Sequence, residues 1–414
     1  MKASGEGVRD SVVLVDDDEL RAGDEWKPLI EAHIRMPVRV SRSQEFQKDV
    51  GVLEERRAAC REGRDPGLLH GTIFDRAAIL VVDYDLFDFS RSLDGDAVAY
   101  LARCYSACGL IVGVNQDLTA RWYDLTLLDH PLAFTDISIG ASQLGSPSLW
   151  SRQTEKAAGI EFRPWQWPHL DDAAEDLEKC VDHAAAHHEG DVLSLLGIDE
   201  THRGLVTRDV VSVIQRRTGP DDEPAVATPD ELVADSTLGR LAAKDRIPDA
   251  AVPRVVAARL RKWLDAVVLP RQDILVDAPH LVAQIPGLLR DPDDESQWQA
   301  TCDLHATHEE LPLAENDSLT KSRAAFGDVP WISRPTWWLR DIASSAELDA
   351  ARDRAGGELG LVFCEDVSAF CARGDARRIS TKVGGNRSQR WVRIPRDGDG
   401  RPFADYEPAV RLVD

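Results

Sequence analysis

The sequence has no apolar run approaching the ~20 residues of a membrane span. Its opening residues, Met1 to Gly7, lack the apolar core of a signal peptide. Both absences point to a cytoplasmic protein with no membrane partner. There is no Cys-x-x-Cys pair, and the 7 cysteines are odd in number and scattered. That fits a reducing compartment and argues against a disulfide frame. Cys104 and Cys108 share a helical stretch and read as buried thiols rather than metal ligands. Positive charge is also short. Lys and Arg number 49 against 72 Asp and Glu, a net charge of −23, which argues against non-specific binding to nucleic acid. The one basic stretch runs from Arg373 to Arg393 and includes Arg377, Arg378, Lys382, Arg387 and Arg390.

What is present is a chain of 414 residues, 43% of them hydrophobic, long enough for two or three domains with real cores. Its most informative stretch is Ile79-Leu80-Val81-Val82-Asp83-Tyr84-Asp85-Leu86. Four consecutive apolar residues read as a strand buried on both faces, and two carboxylates follow at once. A solvated turn is the plain alternative, since Asp favours turns. Ser11 to Val15 is a second such strand, tipped by Asp16-Asp17-Asp18. Further strands are expected at Pro37–Val40, at Leu110–Val114 ending in Asn115, and at Ala133–Ile139.

Helical segments separate these strands. Glu19 to His33 is expected to break near Pro28, Ser43-Gln44-Glu45-Phe46 has capping-box character at the start of a helix running to Glu62, and Leu93 to Cys108 repeats at helical period. The alternation predicts an α/β fold with a flavodoxin-like five-stranded parallel sheet in the order 2-1-3-4-5. In that order strands 1 and 3 are neighbours, and the ligand crevice lies off their carboxyl ends. Asp16, Asp17 and Asp18 then lie beside Asp83 and Asp85. Converging carboxylates are best explained by a hard divalent cation such as Mg²⁺.

At these residues the stretch from about Asp10 to Trp150 resembles a receiver domain of bacterial two-component response regulators. The resemblance implies an Mg²⁺-binding acidic pair at the end of strand 1, either Asp16 with Asp17 or Asp17 with Asp18, and a phosphoacceptor at Asp83. The family's Thr or Ser at the end of strand 4 falls at Asn115, 32 residues after Asp83, and its Lys at the end of strand 5 falls at Asp136, 21 residues further on. No Lys occurs between Lys48 and Lys156. An Asp in the Lys position opposes phosphorylation by adding charge beside a dianion, with Arg103 or Arg121 as possible substitute cations. The 66 residues from Asp17 to Asp83 exceed the family's spacing and imply an elongated second helix and an insertion around Leu68 to Phe74.

Asp83-Tyr84-Asp85 is also similar to the Asp-x-Asp of haloacid-dehalogenase-type hydrolases, which implies a nucleophile and an acid/base. Leu86-Phe87-Asp88-Phe89 follows instead of that family's continuation.

Residues 151–290 are expected to form a mostly helical region and 291–414 a small α+β module, after a receiver-like domain at 8–150. Several candidate constellations lie in these parts. The segment from Ser142 to Pro168, with Trp150, Trp165 and Trp167, reads as a packing connector. His183 and His187 have zinc-ligand spacing but no third ligand nearby, and fit a helix end instead. The basic face of Ala257 to Leu264 is either solvated or a docking face for the receiver-like domain. Asp277 and His280 form either an acid/base couple or a loop hydrogen bond. The two histidines between Asp303 and His308 read as exposed, and Trp331, Trp337 and Trp338 as core. The whole layout is similar to bacterial proteins with a divergent receiver domain and a long C-terminal region, some of which occur beside histidine-kinase-like ATPases in stress or defence gene sets. This implies a signalling role with a protein partner. A non-catalytic pseudo-receiver scaffold and a phosphohydrolase using Asp83 and Asp85 are the alternatives.

Overall fold

The computed structural model of the chain describes residues 9–67, 71–86, 93–115, 123–124, 133–151, 163, 165, 167–215, 225–238, 246–324, 326, 329–353, 359–378, 390–394 and 404–405. Leu68 to His70, Phe87 to Phe89, most of Leu118 to Leu128 with Arg121, Lys382 and Arg387 lie outside the described residues.

Five parallel strands form the N-terminal sheet: β1 (Ser11–Val15), β2 (Val38–Val40), β3 (Ala77–Asp83), β4 (Leu110–Asn115) and β5 (Ile137–Gly140). Their order is β2-β1-β3-β4-β5, the flavodoxin-like α/β arrangement. The central runs are continuous because both faces are covered. Val12, Leu14, Val15 and Ile79 to Val81 have essentially no exposed surface, and each such aliphatic side chain contributes roughly 1.5–3 kcal/mol relative to exposure.

The last strand differs from its expected position. It starts at Ile137 rather than Ala133 and ends at Gly140. Phe134 and Thr135 are buried, but through packing that precedes the strand, so apolar spacing alone misplaced its start. Asp136 therefore lies before the strand, not at its carboxyl end.

Two helix expectations are also corrected. Pro28 does not break the first helix. A π-type segment, Arg21–Trp26, runs directly into α1 (Lys27–Glu31). The wider turns ahead of the ring displace the carbonyl that proline would strike. Helix α2 (Ser43–Arg61) has Arg42 at its N-cap with no side-chain cap. The Ser43 N–H instead donates to Oε1 of Glu19, 2.6 Å away, so an orphan helix donor is satisfied from a different segment.

Helix α3 (Gly95–Tyr105) is capped by Asp94, which accepts from the Ala97 N–H. Its first residue must be glycine-sized. A Cβ on Gly95 would sit 2.2 Å from the Asp83 carbonyl oxygen. Helix α4 (Leu170–Ala186) buries Leu170, Ala173, Ala174, Leu177, Cys180 and Ala184 and packs on β3 and β4. Helix α5 (Val252–Trp263) lies against α4 and α3. One hydrophobic cluster joins Val12 of β1 to Val392 near the C-terminus. The connector tryptophans Trp150, Trp165 and Trp167 are fully buried in it, as are Trp331 and Trp337.

Beyond these helices, β6 (Leu275–Asp277) pairs antiparallel with β7 (Thr336–Trp338). A small mixed sheet follows, made of β8 (Leu361–Cys364), β9 (Ala369–Ala372), β10 (Ala376–Arg378) and β11 (Trp391–Arg393), in the order β9-β8-β11-β10. The strand expected at Val410 to Val413 lies outside the described residues. Among the described residues no helix is long and apolar enough to cross a membrane. Cys104 and Cys108 are buried and unbridged. Burial pushes the Cys108 thiol up to about 12.

Candidate functional site

The register between β1 and β3 sets the site. Val15 pairs with Val82, so the next residues, Asp16 and Asp83, stand side by side at the carboxyl edge, Asp83 as the last residue of β3. Both are buried, with 0% and 1% of their surface exposed. The carboxylates of Asp16, Asp17 and Asp83 offer oxygens that all lie within 4.8 Å of one another.

The other two acids take different places. Asp18 is exposed and its Oδ1 accepts from the Leu20 and Arg21 N–H groups at 3.0 and 3.1 Å. It caps the first helix rather than facing the cluster. Asp85 is exposed and stands outside the group of three. Its backbone N–H points to Oδ1 of Asp83 at 3.4 Å. The haloacid-dehalogenase-type arrangement needs both acids at one reacting centre, and only Asp83 is there.

Arg21 was not singled out in the sequence, and it dominates the site. Its Nε donates to Oδ2 of Asp16 at 2.7 Å, and its Nη2 donates to Oδ1 of the same carboxylate. The same Nη2 lies 3.2 Å from Oδ2 of Asp83 and 3.5 Å from Oδ1 of Asp17. One guanidinium thus touches all three carboxylates. Burial pushes the Asp16 carboxyl above its ordinary range, with the Arg21 hydrogen bond opposing that rise. The Asp16 contact in turn raises the Arg21 guanidinium. The available signal was spacing, since Arg21 lies four residues after Asp17 at the helix start.

No family model, curated protein or solved structure matches the chain.

The remaining expected positions separate into two ends of the sheet. Asn115 closes β4 at the carboxyl edge, beside Gly140 of β5. Asp136 lies at the opposite end. Its Oδ2 pairs with the buried Arg103 and accepts from the Ile111 N–H at 2.6 Å. Among the described residues, β5 is closed on the carboxyl side by Gly140, Ala141 and Ser142, none of them an Asp or a Lys. Arg103 is held by Asp136 and by the Gly109 carbonyl at 2.9 Å, away from Asp83. Tyr84 folds back over β4 instead. Its ring fills the space where Gly113 has no Cβ, and its hydroxyl reaches Ser138 Oγ at 2.8 Å.

The fit of a divalent cation can be tested on these distances. Three carboxylates are suitable oxygen donors, and Mg²⁺ binds at about 2.0–2.1 Å with near-octahedral geometry. Arg21 Nη2 stands between the same oxygens. The cation and the guanidinium cannot share that space, so the ion does not fit unless Arg21 swings out.

The other constellations resolve into structure. His183 and His187 stack at 4.3 Å, and His183 Nε2 contacts the Leu195 carbonyl at 3.2 Å. The basic face of α5 is a docking face. Lys262 Nζ donates to the Thr135 carbonyl at 2.7 Å, and Arg259 donates to the Ala133 carbonyl at 3.2 Å. Asp277 and His280 belong to a buried chain of charges. His280 Nδ1 contacts Asp277 at 2.6 Å and its Nε2 contacts Glu365 at 2.8 Å. Arg390 closes on Glu365 from the far side, which takes one member of the basic stretch out of solvent.

Proposed function

We propose that this chain is a signalling protein whose N-terminal α/β layer is a pseudo-receiver: a receiver-shaped module that works through protein contact rather than phosphoryl transfer. The observation that carries this reading is the Arg21 guanidinium lodged among Asp16, Asp17 and Asp83. A phosphoacceptor needs a divalent cation where Arg21 stands and a second cation to face the new dianion. This chain has no Lys from residue 49 to 155, and β5 ends in small residues. Asp16 and Asp83 are buried and Arg21 is half-buried between them, which ties the carboxyl edge into one electrostatic unit. Lys262 and Arg259 of α5 tie the segment just before β5 to the helical region, which gives contact at the sheet a physical route to the rest of the chain. The partner class is a protein, and a histidine-kinase-like ATPase is the first candidate, on the resemblance in layout.

The test is incubation with a small phosphodonor and Mg²⁺, followed by intact-mass measurement and phosphate release. The expected result is no adduct and no turnover. A phosphoryl adduct lost in Asp83→Asn would replace this reading with an Mg²⁺-dependent phosphoacceptor. Continuous phosphate release lost in both Asp83→Asn and Asp85→Asn would replace it with a phosphohydrolase.

A further inference from the structure

A second group of three possible ligands lies far from the acidic edge, at the start of α4. His169 is the N-cap residue of that helix and is fully buried. Asp172 sits in its first turn. His305 comes from the loop after the helix Glu295–Ala300, 136 residues from His169. The donor atoms form a triangle. His169 Nδ1 and His305 Nε2 are 2.6 Å apart, and an oxygen of Asp172 lies 3.2 Å from the His305 nitrogen and 3.5 Å from the His169 nitrogen.

We propose that His169, Asp172 and His305 form a binding site for a zinc-class transition-metal ion, with water completing its coordination. Four ligands arranged tetrahedrally at about 2.0–2.1 Å from zinc lie roughly 3.3 Å from one another. Two edges of the triangle already match that spacing. The third is shorter, with the two rings nearly coplanar, and an ion enters only as both rings turn to open it. At 2.6 Å the two ring nitrogens are in N–H···N hydrogen-bond contact, and an ion would take the place of the shared proton, which moves to the other nitrogen of its ring, beside the Asp172 carboxylate. Imidazole nitrogens select zinc, copper or nickel over Mg²⁺, which separates this site chemically from the all-oxygen cluster at Asp83.

Access is available from one side. Asp172 is partly exposed, at 43% of its side chain, and lines a cleft of about 970 Å³ with Arg9, His33, Asp171 and Glu178. The loop that carries His305 is held by its backbone N–H, which donates to Oδ1 of Asp303 at 2.9 Å. A bound ion would staple the N-terminus of α4, which packs on β3 and β4, to the C-terminal third of the chain. It would act as a cross-link between the sheet domain and the region beyond residue 291.

The test uses the full chain, stripped with a chelator and titrated with Zn²⁺ by calorimetry and with Co²⁺ by visible absorption. One equivalent is expected to bind, with the intense bands of four-coordinate Co²⁺. His305→Ala is expected to weaken binding about tenfold or more, since even residues that only orient a ligand cost 10–100-fold. Asp172→Asn is expected to weaken it in the same direction, and Glu55→Gln, at an exposed position of α2, to leave it unchanged. His305 and Asp172 are partly exposed, so these variants remain testable where a change at buried His169 disrupts folding. Absence of saturable Zn²⁺ binding overturns the proposal. So does binding of equal strength in wild type, His305→Ala and Asp172→Asn.

Discussion

Arg21 and Asp16 form a two-point contact at the carboxyl edge of the sheet, with Nε and Nη2 of the guanidinium on the two oxygens of a fully buried carboxylate. The fork geometry of arginine makes this possible, and lysine could not reproduce it. The pair also reaches Asp83 and Asp17. Arg21 therefore acts as a counter-ion within the cluster.

Removing that counter-ion makes the first prediction. Arg21→Gln leaves Asp16 and Asp83 buried beside each other, which costs about 3 kcal/mol, near the lower end for breaking a buried pair. The vacated space then suits a divalent ion. Millimolar Mg²⁺ is expected to raise the melting temperature of the variant and leave wild type unchanged. Equal Mg²⁺ effects on both proteins would show that Arg21 does not hold the cation position.

Asp136 supplies a second prediction, because it sits at the other end of the sheet. Asp136→Asn weakens the contact to buried Arg103 and to the Ile111 N–H. Stability is expected to fall by about 2–4 kcal/mol. Metal binding and any reaction with a phosphodonor are expected to stay as in wild type. A changed response to Mg²⁺ would place Asp136 at the acidic edge after all.

The sheet was legible because β1, β3 and β4 are continuous apolar runs, and polar residues at their ends, Asp16, Asp83 and Asn115, mark the loops. The convergence of Asp16 and Asp83 followed from strand order alone. What stayed hidden is of two kinds. Phe134 and Thr135 look like strand residues but are buried before β5 begins, and a residue pattern records burial without its cause. Contacts across long separations leave no local trace, as with His280 and Glu365, 85 residues apart, or His169 and His305. Arg21 lies between these cases. Its spacing from Asp17 was readable, but an i,i+4 pair ordinarily reads as surface decoration.

The buried charge chain predicts a pH dependence. Burial works against the His280 imidazolium, but Asp277 and Glu365 outweigh it and hold its pKa above the ordinary value. His280 and Arg390 in turn hold Glu365 below its ordinary range despite burial, and His280 with Arg334 does the same for Asp277. A raised histidine contributes stability that is complete below its unfolded pKa of about 6.5 and is lost as pH rises through the folded value. The depressed carboxylates contribute above their unfolded values and lose that contribution as pH falls through the folded ones. The stability gap between wild type and His280→Gln is therefore expected to be widest near pH 6 and to shrink as pH rises through the raised folded-state pKa of His280. A gap that grows with pH in thermal melts would reverse the assigned protonation.

The docking face of α5 gives the last prediction. Lys262 is buried and donates to the Thr135 carbonyl at 2.7 Å, while the Arg259 guanidinium lies 4.4 Å from the Phe134 ring centroid. Lys262→Met keeps the stem and removes the donors, and each buried carbonyl left without its partner costs about 1–3 kcal/mol. Arg259→Met also removes the cation from Phe134. The double variant is expected to raise hydrogen exchange at residues 133–140 well before the amides of β1 and β3, because local opening draws on the weakest contacts first. Under the pseudo-receiver reading this is the link through which a partner at the sheet reaches the helical region, so partner-dependent protection of α5 should disappear with it. Uniform exchange across the sheet in the double variant would show instead that α5 supports the fold as a whole and carries no selective coupling.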